Sequence, residues 1–249
     1  MDDKNMGKLP PKVQKLLKPY LEKLHDIYRD SIISIFAYGS VTGPDYNPKT
    51  SDVNVAIVLN DTSSRTLKSA LETVRSGMRK KITAPLFLTP RYIKMSLDTF
   101  PMEFMNMKDT RLILFGDDIL AGITVEKEDL RRECEYQLKG KLLTIRQAYL
   151  EQALNRKALE RLIKMSLRAL FPVFQNMLRM RLNVQPPLDK AEILRRLSEE
   201  FKIDVGPFAR VLHDTKIDGH IAGRSAESFI DAFLSQLEGL SRIVDDMQI

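Results

Sequence analysis

The sequence has little of what would build a disulfide, a zinc site or a membrane helix. Its 249 residues include one cysteine, Cys134, which excludes an internal disulfide and favours a reducing compartment. Three scattered histidines without a CxxC pair argue against structural zinc. No apolar run approaches the ~20 residues that a membrane-spanning helix needs. The first eight residues, MDDKNMGK, lack the apolar core of a signal peptide. We therefore expect a cytoplasmic protein.

The excess of positive charge is also small compared with that of a dedicated nucleic-acid-binding protein. The net charge is +6, with 18 basic and 14 acidic side chains in residues 1–122 and 21 and 19 in residues 123–249. Neither half is strongly basic, so nucleic acid is not an expected partner on this count. A modest basic excess is still compatible with ligands that carry phosphate.

The order of the predicted elements divides the chain into two domains, residues 1–122 and 123–249. The first domain mixes strands with helices, and the second shows only helical periodicity. The predicted fold class is therefore α+β, with a mixed sheet and flanking helices followed by an all-helical bundle. In the first domain the patterns predict helices over 12–29 and 63–80, a short helix from Pro90, strands over 32–38, 52–59 and 84–88, and an extended segment over 103–107. In the second domain they predict helices over 126–153, 156–183, 189–201, 206–214 and 225–247, with a loop over 218–223.

The residues that indicate chemistry lie between the first two predicted strands. The first strand stops at Gly39-Ser40, where free backbone N–H groups and one hydroxyl can meet an anion. A loop of eleven residues follows, and Asp52 and Asn54 then open the second strand. Side chains two apart on a strand project from the same face, so we expect Asp52 and Asn54 to point the same way.

This arrangement resembles the nucleotidyltransferase superfamily typified by DNA polymerase beta, and especially its bacterial branch with the aminoglycoside nucleotidyltransferases. The family pattern is an apolar strand, Gly-Ser, about ten residues, and then Asp-x-Asp or Asp-x-Glu in a second strand. Gly39, Ser40 and Asp52 match that pattern. Asn54 departs from it, because it stands where the second carboxylate belongs.

The resemblance implies a nucleoside triphosphate held by Gly39 and Ser40, with Ser51 nearby, and a Mg²⁺ ion on Asp52. Family members use a third carboxylate from a later strand, and Phe87 occupies the aligned place here. Glu103, in the predicted extended segment, is the strand candidate that could replace it. With Asn54 and Phe87 in these places, we expect catalysis to be impaired.

Two functions remain open at this point. One is nucleotidyl transfer to a hydroxyl of a small molecule or a protein. The other is a non-catalytic descendant that acts as a regulatory or protein-binding module. A weaker third possibility is a nucleic-acid-binding helper, because four basic residues at spacings of four, three and four form a stripe on one predicted helix. These residues are Lys157, Arg161, Lys164 and Arg168.

Overall fold

The structure, a computed structural model, describes residues 5–44, 46–152, 155–217 and 226–247. The chain divides into two compact units, Met1–Val125 and Glu126–Ile249. The predicted loop over 218–223 lies outside the described residues.

The first unit alternates helices with four strands. Pro10 and Pro11 open its first helix, as the missing N–H of proline permits at a helix start. The elements in chain order are α1 (Pro11–Tyr28), β1 (Ile32–Tyr38), β2 (Asn54–Leu59), α2 (Ser64–Lys68), α3 (Leu71–Met78), β3 (Leu86–Leu88), α4 (Pro90–Met95), α5 (Pro101–Thr110) and β4 (Leu112–Gly116).

The strands form one mixed sheet in the order β3-β2-β1-β4. Strand β1 is antiparallel to both of its neighbours, and β2 is parallel to β3. Antiparallel pairing of β1 with β2 brings the end of β1 beside the start of β2, so that Tyr38 pairs with Asn54. That edge of the sheet carries the residues that the sequence singles out.

Each face of the sheet packs on its own helices, because successive strand side chains point to opposite faces. Helix α1 covers one face through Leu17, Leu21 and Leu24. Helices α4 and α5 cover the other face through Ile93 and Phe104. The strand residues on the α1 face include Ile35, Ala37, Val55, Ile57 and Leu59, and those on the α5 face include Phe36, Ala56 and Val58.

The single helix predicted over 63–80 is wrong, since two helices occupy that segment. The Ser69 hydroxyl donates to the carbonyl oxygen of Thr66 at 2.7 Å, and the Ser69 backbone N–H donates to the same carbonyl. A serine that bonds back to the preceding turn competes with the helical pattern. Helix α2 therefore ends at Lys68, and α3 begins at Leu71.

The prediction of an extended segment over 103–107 is also wrong. Glu103 lies in the first turn of α5, where Pro101 occupies the first helical position. Phe104 and Met107 are buried at helical spacing against the sheet. The apparent alternation of E-F-M-N-M spans too few residues to outweigh that packing.

The second unit contains only helices among its described residues. They are α6 (Lys127–Gln152), α7 (Arg156–Leu182), α8 (Lys190–Phe201), α9 (Gly206–Ile217) and α10 (Ala226–Asp245). Its core holds a chain of aromatic contacts from Phe174 to Phe208 and from Phe208 to Phe233, with ring centroids 5.5 and 5.0 Å apart. The predicted α+β class is confirmed. None of the described helices is long and apolar enough to cross a membrane.

Candidate functional site

A tight turn follows β1 at the sheet edge. Gly39 has φ of +78°, a left-handed conformation that glycine adopts without steric cost. It begins a short 3₁₀ turn, Gly39–Thr42. A Cβ atom on Gly39 would lie 3.2 Å from Nδ2 of Asn54. The predicted Gly-Ser turn and the predicted Asp-x-Asn segment are therefore neighbours.

Helix α5 holds this turn through its last residue. The Gly39 N–H donates to Oγ1 of Thr110 at 2.9 Å, and that hydroxyl in turn donates to the carbonyl of Asn106. The Thr42 hydroxyl lies within hydrogen-bonding distance of the carbonyls of Gly39 and Thr110. The Gly39 N–H is therefore already hydrogen-bonded within the fold. The groups of the turn that could bind an anion are those that follow Gly39.

Ser40 and Asp52 are the exposed polar residues of this edge. Neither the Ser40 hydroxyl nor the Asp52 carboxylate has a hydrogen-bond or ion-pair partner among the described residues. Strand β2 begins at Asn54, two residues after the predicted start near residue 52. Pairing nevertheless continues through Val53, whose N–H donates to the carbonyl of Lys81. Buried Val53 separates exposed Asp52 from half-buried Asn54, as alternation along an extended chain requires.

Asn54 contacts a residue that sequence reasoning missed. The Thr83 hydroxyl lies 3.1 Å from Oδ1 of Asn54 and 3.2 Å from the carbonyl of Val53. Thr83 therefore stands beside Asn54 on the neighbouring segment of chain. The two side chains offer neutral oxygens to this edge of the sheet.

The loop before Asp52 is closed by its own polar groups. Oγ of Ser51 accepts the N–H of Asn47 at 3.1 Å, and Oδ1 of Asn47 accepts the N–H of Lys49. The Lys81 ammonium donates to the carbonyl of Lys49 at 2.6 Å. Ser51, which the sequence predicts near the nucleotide, thus has a loop-closing hydrogen bond. Lys81 adds a cation next to the loop.

Phe87 does not lie on the face that carries Asn54. It pairs with Ile57 in the parallel ladder, and its ring meets Tyr28 of α1 edge-on at 5.7 Å. Asn54 shares its face with Ala56 and Val58, which pack on the α5 side. The alignment of Phe87 with a missing metal ligand is therefore wrong, and Thr83 is the neighbouring residue on the correct face.

Glu103 is exposed on α5 and not on a strand. It precedes Thr110 by two helical turns, which is roughly 10 Å along the axis at 1.5 Å per residue. Its predicted role as a substitute carboxylate stays a prediction.

The donor set at this edge suits one Mg²⁺ ion and not two. Mg²⁺ in proteins is often held by one or two carboxylates together with substrate phosphates, and Asp52 is one exposed, unpaired carboxylate. A two-ion site needs several shared carboxylates. Across the described residues, no three side chains of His, Cys, Asp or Glu are grouped so that they could hold a metal ion.

Comparison with solved structures finds spectinomycin adenyltransferase AAD(9) from Enterococcus faecialis, in a structure with ATP and spectinomycin. The match covers 93% of this chain and 99% of that chain, with a TM-score of 0.56 and 10% sequence identity. The chain has the fold of a nucleotidyltransferase. No family model matches the sequence, and no curated protein matches it.

The nucleotidyltransferase fold confirms the resemblance that Gly39, Ser40 and Asp52 suggest, at the level of architecture. The structure brings Gly39 and Asn54 together at one edge of the sheet. Thr83 and Thr110 were missed, since each reaches this edge from a segment far away in sequence. A local motif carries no signal for such contacts.

Proposed function

We propose that the first unit binds a Mg²⁺-bound nucleoside triphosphate at the edge formed by Gly39, Ser40 and Asp52, and that it transfers the nucleotidyl group only slowly. One observation carries the proposal. The exposed hydroxyl of Ser40 and the exposed, unpaired carboxylate of Asp52 lie at the ends of two adjacent strands. The fold adds support, because one solved structure with this fold is an adenyltransferase with ATP.

Each residue has a role that its position allows. The Ser40 hydroxyl and the turn that follows Gly39 would donate to phosphate oxygens. Asp52 would supply the one charged ligand to Mg²⁺. When bound, Mg²⁺ supplies positive charge that orients the triphosphate. Lys81, fixed on the neighbouring loop, raises the local positive potential.

Slow transfer follows from the chemistry of Asn54. Its amide oxygen is neutral and already accepts the Thr83 hydroxyl, so the site lacks the charge that would hold a second ion. Metal activation contributes several kcal/mol, and each ~1.4 kcal/mol changes a rate tenfold. We expect transfer to a hydroxyl of a small molecule or protein to be slower by on the order of 10³-fold than with a complete set of carboxylates.

A second candidate function is a non-catalytic regulatory or protein-binding module. The lack of a three-acid cluster among the described residues favours it. This alternative predicts that Asn54→Asp neither creates nor raises transfer. Measurable incorporation of labelled nucleotide by the unmodified protein would exclude it.

Calorimetry tests the binding proposal, with ATP, GTP, CTP and UTP, each with and without Mg²⁺. We expect Mg²⁺-dependent binding that Asp52→Asn weakens roughly tenfold or more, as expected for a contact to a charged group, and that Ser40→Ala weakens roughly fivefold. Asp26→Asn is the matched control, because Asp26 lies on α1, away from this edge of the sheet. Unchanged affinity in both site variants would disprove the site.

A further inference from the structure

Helix α7 carries an unusual share of the charge of this protein. It contains seven basic and one acidic side chain, a net charge of +6, which equals that of the whole chain. Residues 123–249 hold 21 basic and 19 acidic side chains, so the remainder of that half has 14 and 18. The nearly balanced charge of residues 123–249 is therefore the sum of one strongly basic helix and a remainder that is net acidic.

The basic side chains in the first part of α7 fall on one face. Lys157, Arg161, Lys164 and Arg168 are separated by four, three and four residues, the spacings that place side chains next to each other on a helix. Three of them are exposed, and Lys164 is half-buried. We call these four residues the α7 stripe. Its eleven-residue length corresponds to roughly 16 Å at 1.5 Å per residue.

The α7 stripe lacks the acidic partners that basic residues have elsewhere in this unit. On α6, Arg131 pairs with Glu128 and Glu135 at 2.9 Å. On α8, Arg195 pairs with Glu192 at 2.6 Å. Within the described ranges, no side chain of the α7 stripe forms an ion pair or a hydrogen bond. Like charges three and four residues apart disfavour the helix, and Glu160 is the one acidic residue in the sequence of α7 that can offset them.

We infer that the α7 stripe binds the phosphate backbone of a nucleic-acid duplex without regard to sequence. A line of roughly 16 Å spans about five phosphate steps of one strand, at 3.4 Å of axis per step. Lysine and arginine along a helix are the electrostatic footprint of such binding. The inference does not depend on the proposed nucleotide site.

A duplex fits this surface better than a single strand does. Proteins that bind single strands combine a basic groove with aromatic side chains on which bases stack. The α7 stripe contains no aromatic residue. The large exposed aromatic side chain described in this unit is Tyr136, which lies on α6.

The test is fluorescence anisotropy of a labelled DNA duplex of about 20 base pairs, titrated with the full chain over a range of salt concentrations. Each phosphate contact contributes about −0.9 to the slope of log affinity against log salt. Four contacts predict a slope of about −3.6, which is a loss of roughly 100-fold in affinity between 50 and 200 mM salt.

The deciding variant replaces the three exposed residues, Lys157→Gln, Arg161→Gln and Arg168→Gln. The slope of log affinity against log salt should become shallower, from about −3.6 to about −0.9, because one cation remains. Glutamine keeps high helix propensity, so circular dichroism should show an unchanged fold. The matched control removes three charges from α1, by Lys12→Gln, Lys15→Gln and Lys23→Gln, and should retain the original slope.

Three results would overturn the inference. The first is an equal loss of affinity in the α1 control, which would mean that only net charge matters. The second is tighter binding of a single strand of the same length. The third is salt-sensitive self-association of the chain that the α7 variant abolishes while duplex binding is absent, which would assign the stripe to a second copy.

Discussion

The backbone N–H of Gly39 donates a 2.9 Å hydrogen bond to Oγ1 of Thr110, 71 residues later in the chain. This contact joins the turn after β1 to the C-terminal end of α5. The same threonine donates to the carbonyl of Asn106 and so remains anchored within its helix. The shape of the proposed phosphate-binding turn therefore depends on a helix that contributes no residue to the sequence motif.

Replacement of Thr110 should weaken nucleotide binding without touching the motif. Thr110→Val keeps the shape of the side chain but leaves the Gly39 N–H without an acceptor. The Gly39 N–H is part-buried, and leaving it unpaired costs roughly 1 kcal/mol, so we expect up to about a fivefold loss of affinity in calorimetry with Mg²⁺-ATP. Thr110→Ser keeps the hydroxyl and should bind like the unmodified protein. Equal losses in the two variants would show that packing, and not the hydrogen bond, matters.

Gly39→Ala should destabilise the first unit. A side chain at φ of +78° is strained, and the new Cβ would lie 3.2 Å from Nδ2 of Asn54. We expect a loss of about 1–2 kcal/mol in the free energy of unfolding, measured by urea denaturation followed by circular dichroism. The control is Gly140→Ala in α6, where no atom lies within 4 Å of the added methyl group. That variant should gain about 1 kcal/mol, and a similar effect in both would contradict the strain argument.

The long elements could be predicted because their signals are local. The apolar face of α1 and the apolar runs of β1 and β2 repeat over many residues, and each predicted boundary lies within two residues of the observed one. The break at Ser69 depends on one hydroxyl that competes for one carbonyl. The E-F-M-N-M segment has too few residues for its pattern to separate a strand from a helix.

The candidate site could be predicted in part. The sequence predicts that the strands before Gly39 and after Asp52 are neighbours, and their antiparallel pairing, which places Gly39 beside Asn54, comes from the structure. The place of Phe87 could not be predicted, because a shift of one residue in a short parallel strand moves a side chain to the other face. Thr83 lies outside β3 altogether, so only the three-dimensional pairing identifies it as the neighbour of Asn54.

The ion pair between Arg111 and Asp118 should give the first unit a distinct pH dependence. Arg111 contacts both carboxylate oxygens of Asp118 at 2.7 Å. This hydrogen bonding lowers the pKa of the Asp118 carboxyl below its ordinary value of 3.8. A carboxyl with a lowered pKa in the folded state stabilises the fold above its unfolded-state pKa, and that contribution disappears as the pH falls through the folded-state value.

A double-mutant cycle of Arg111→Gln and Asp118→Asn measures this coupling. Both side chains are partly exposed, so we expect about 0.5–1 kcal/mol at pH 7. The coupling should persist at pH 5 and decline only below about pH 4. A coupling that disappears between pH 7 and pH 5 would contradict the lowered pKa of Asp118.

The contact between Thr83 and Asn54 predicts how a metal site could be restored. Asn54→Asp combined with Thr83→Asp would place two carboxylates side by side on the face that Asp52 shares. Without a cation their repulsion should lower the melting temperature. With Mg²⁺ at about 100 times its dissociation constant, binding should stabilise the variant by about 2.7 kcal/mol. At about 2–4 °C per kcal/mol this corresponds to a rise of roughly 5–10 °C.

The matched control for this variant is Asn54→Asp combined with Phe87→Asp, which adds the same two charges. Its second carboxylate would point to the opposite face of the sheet, where Phe87 packs against Tyr28. A charge without a partner at this half-buried place destabilises the fold, and it points away from the carboxylate introduced at position 54, so the two cannot share an ion. We therefore expect a lower melting temperature and a smaller rise with Mg²⁺ than in the Thr83 variant, because only Asp52 and the carboxylate at position 54 then share a face. An equal Mg²⁺ response in the two variants, or none in the Thr83 variant, would mean that the face assignment of Thr83 and Phe87 is wrong.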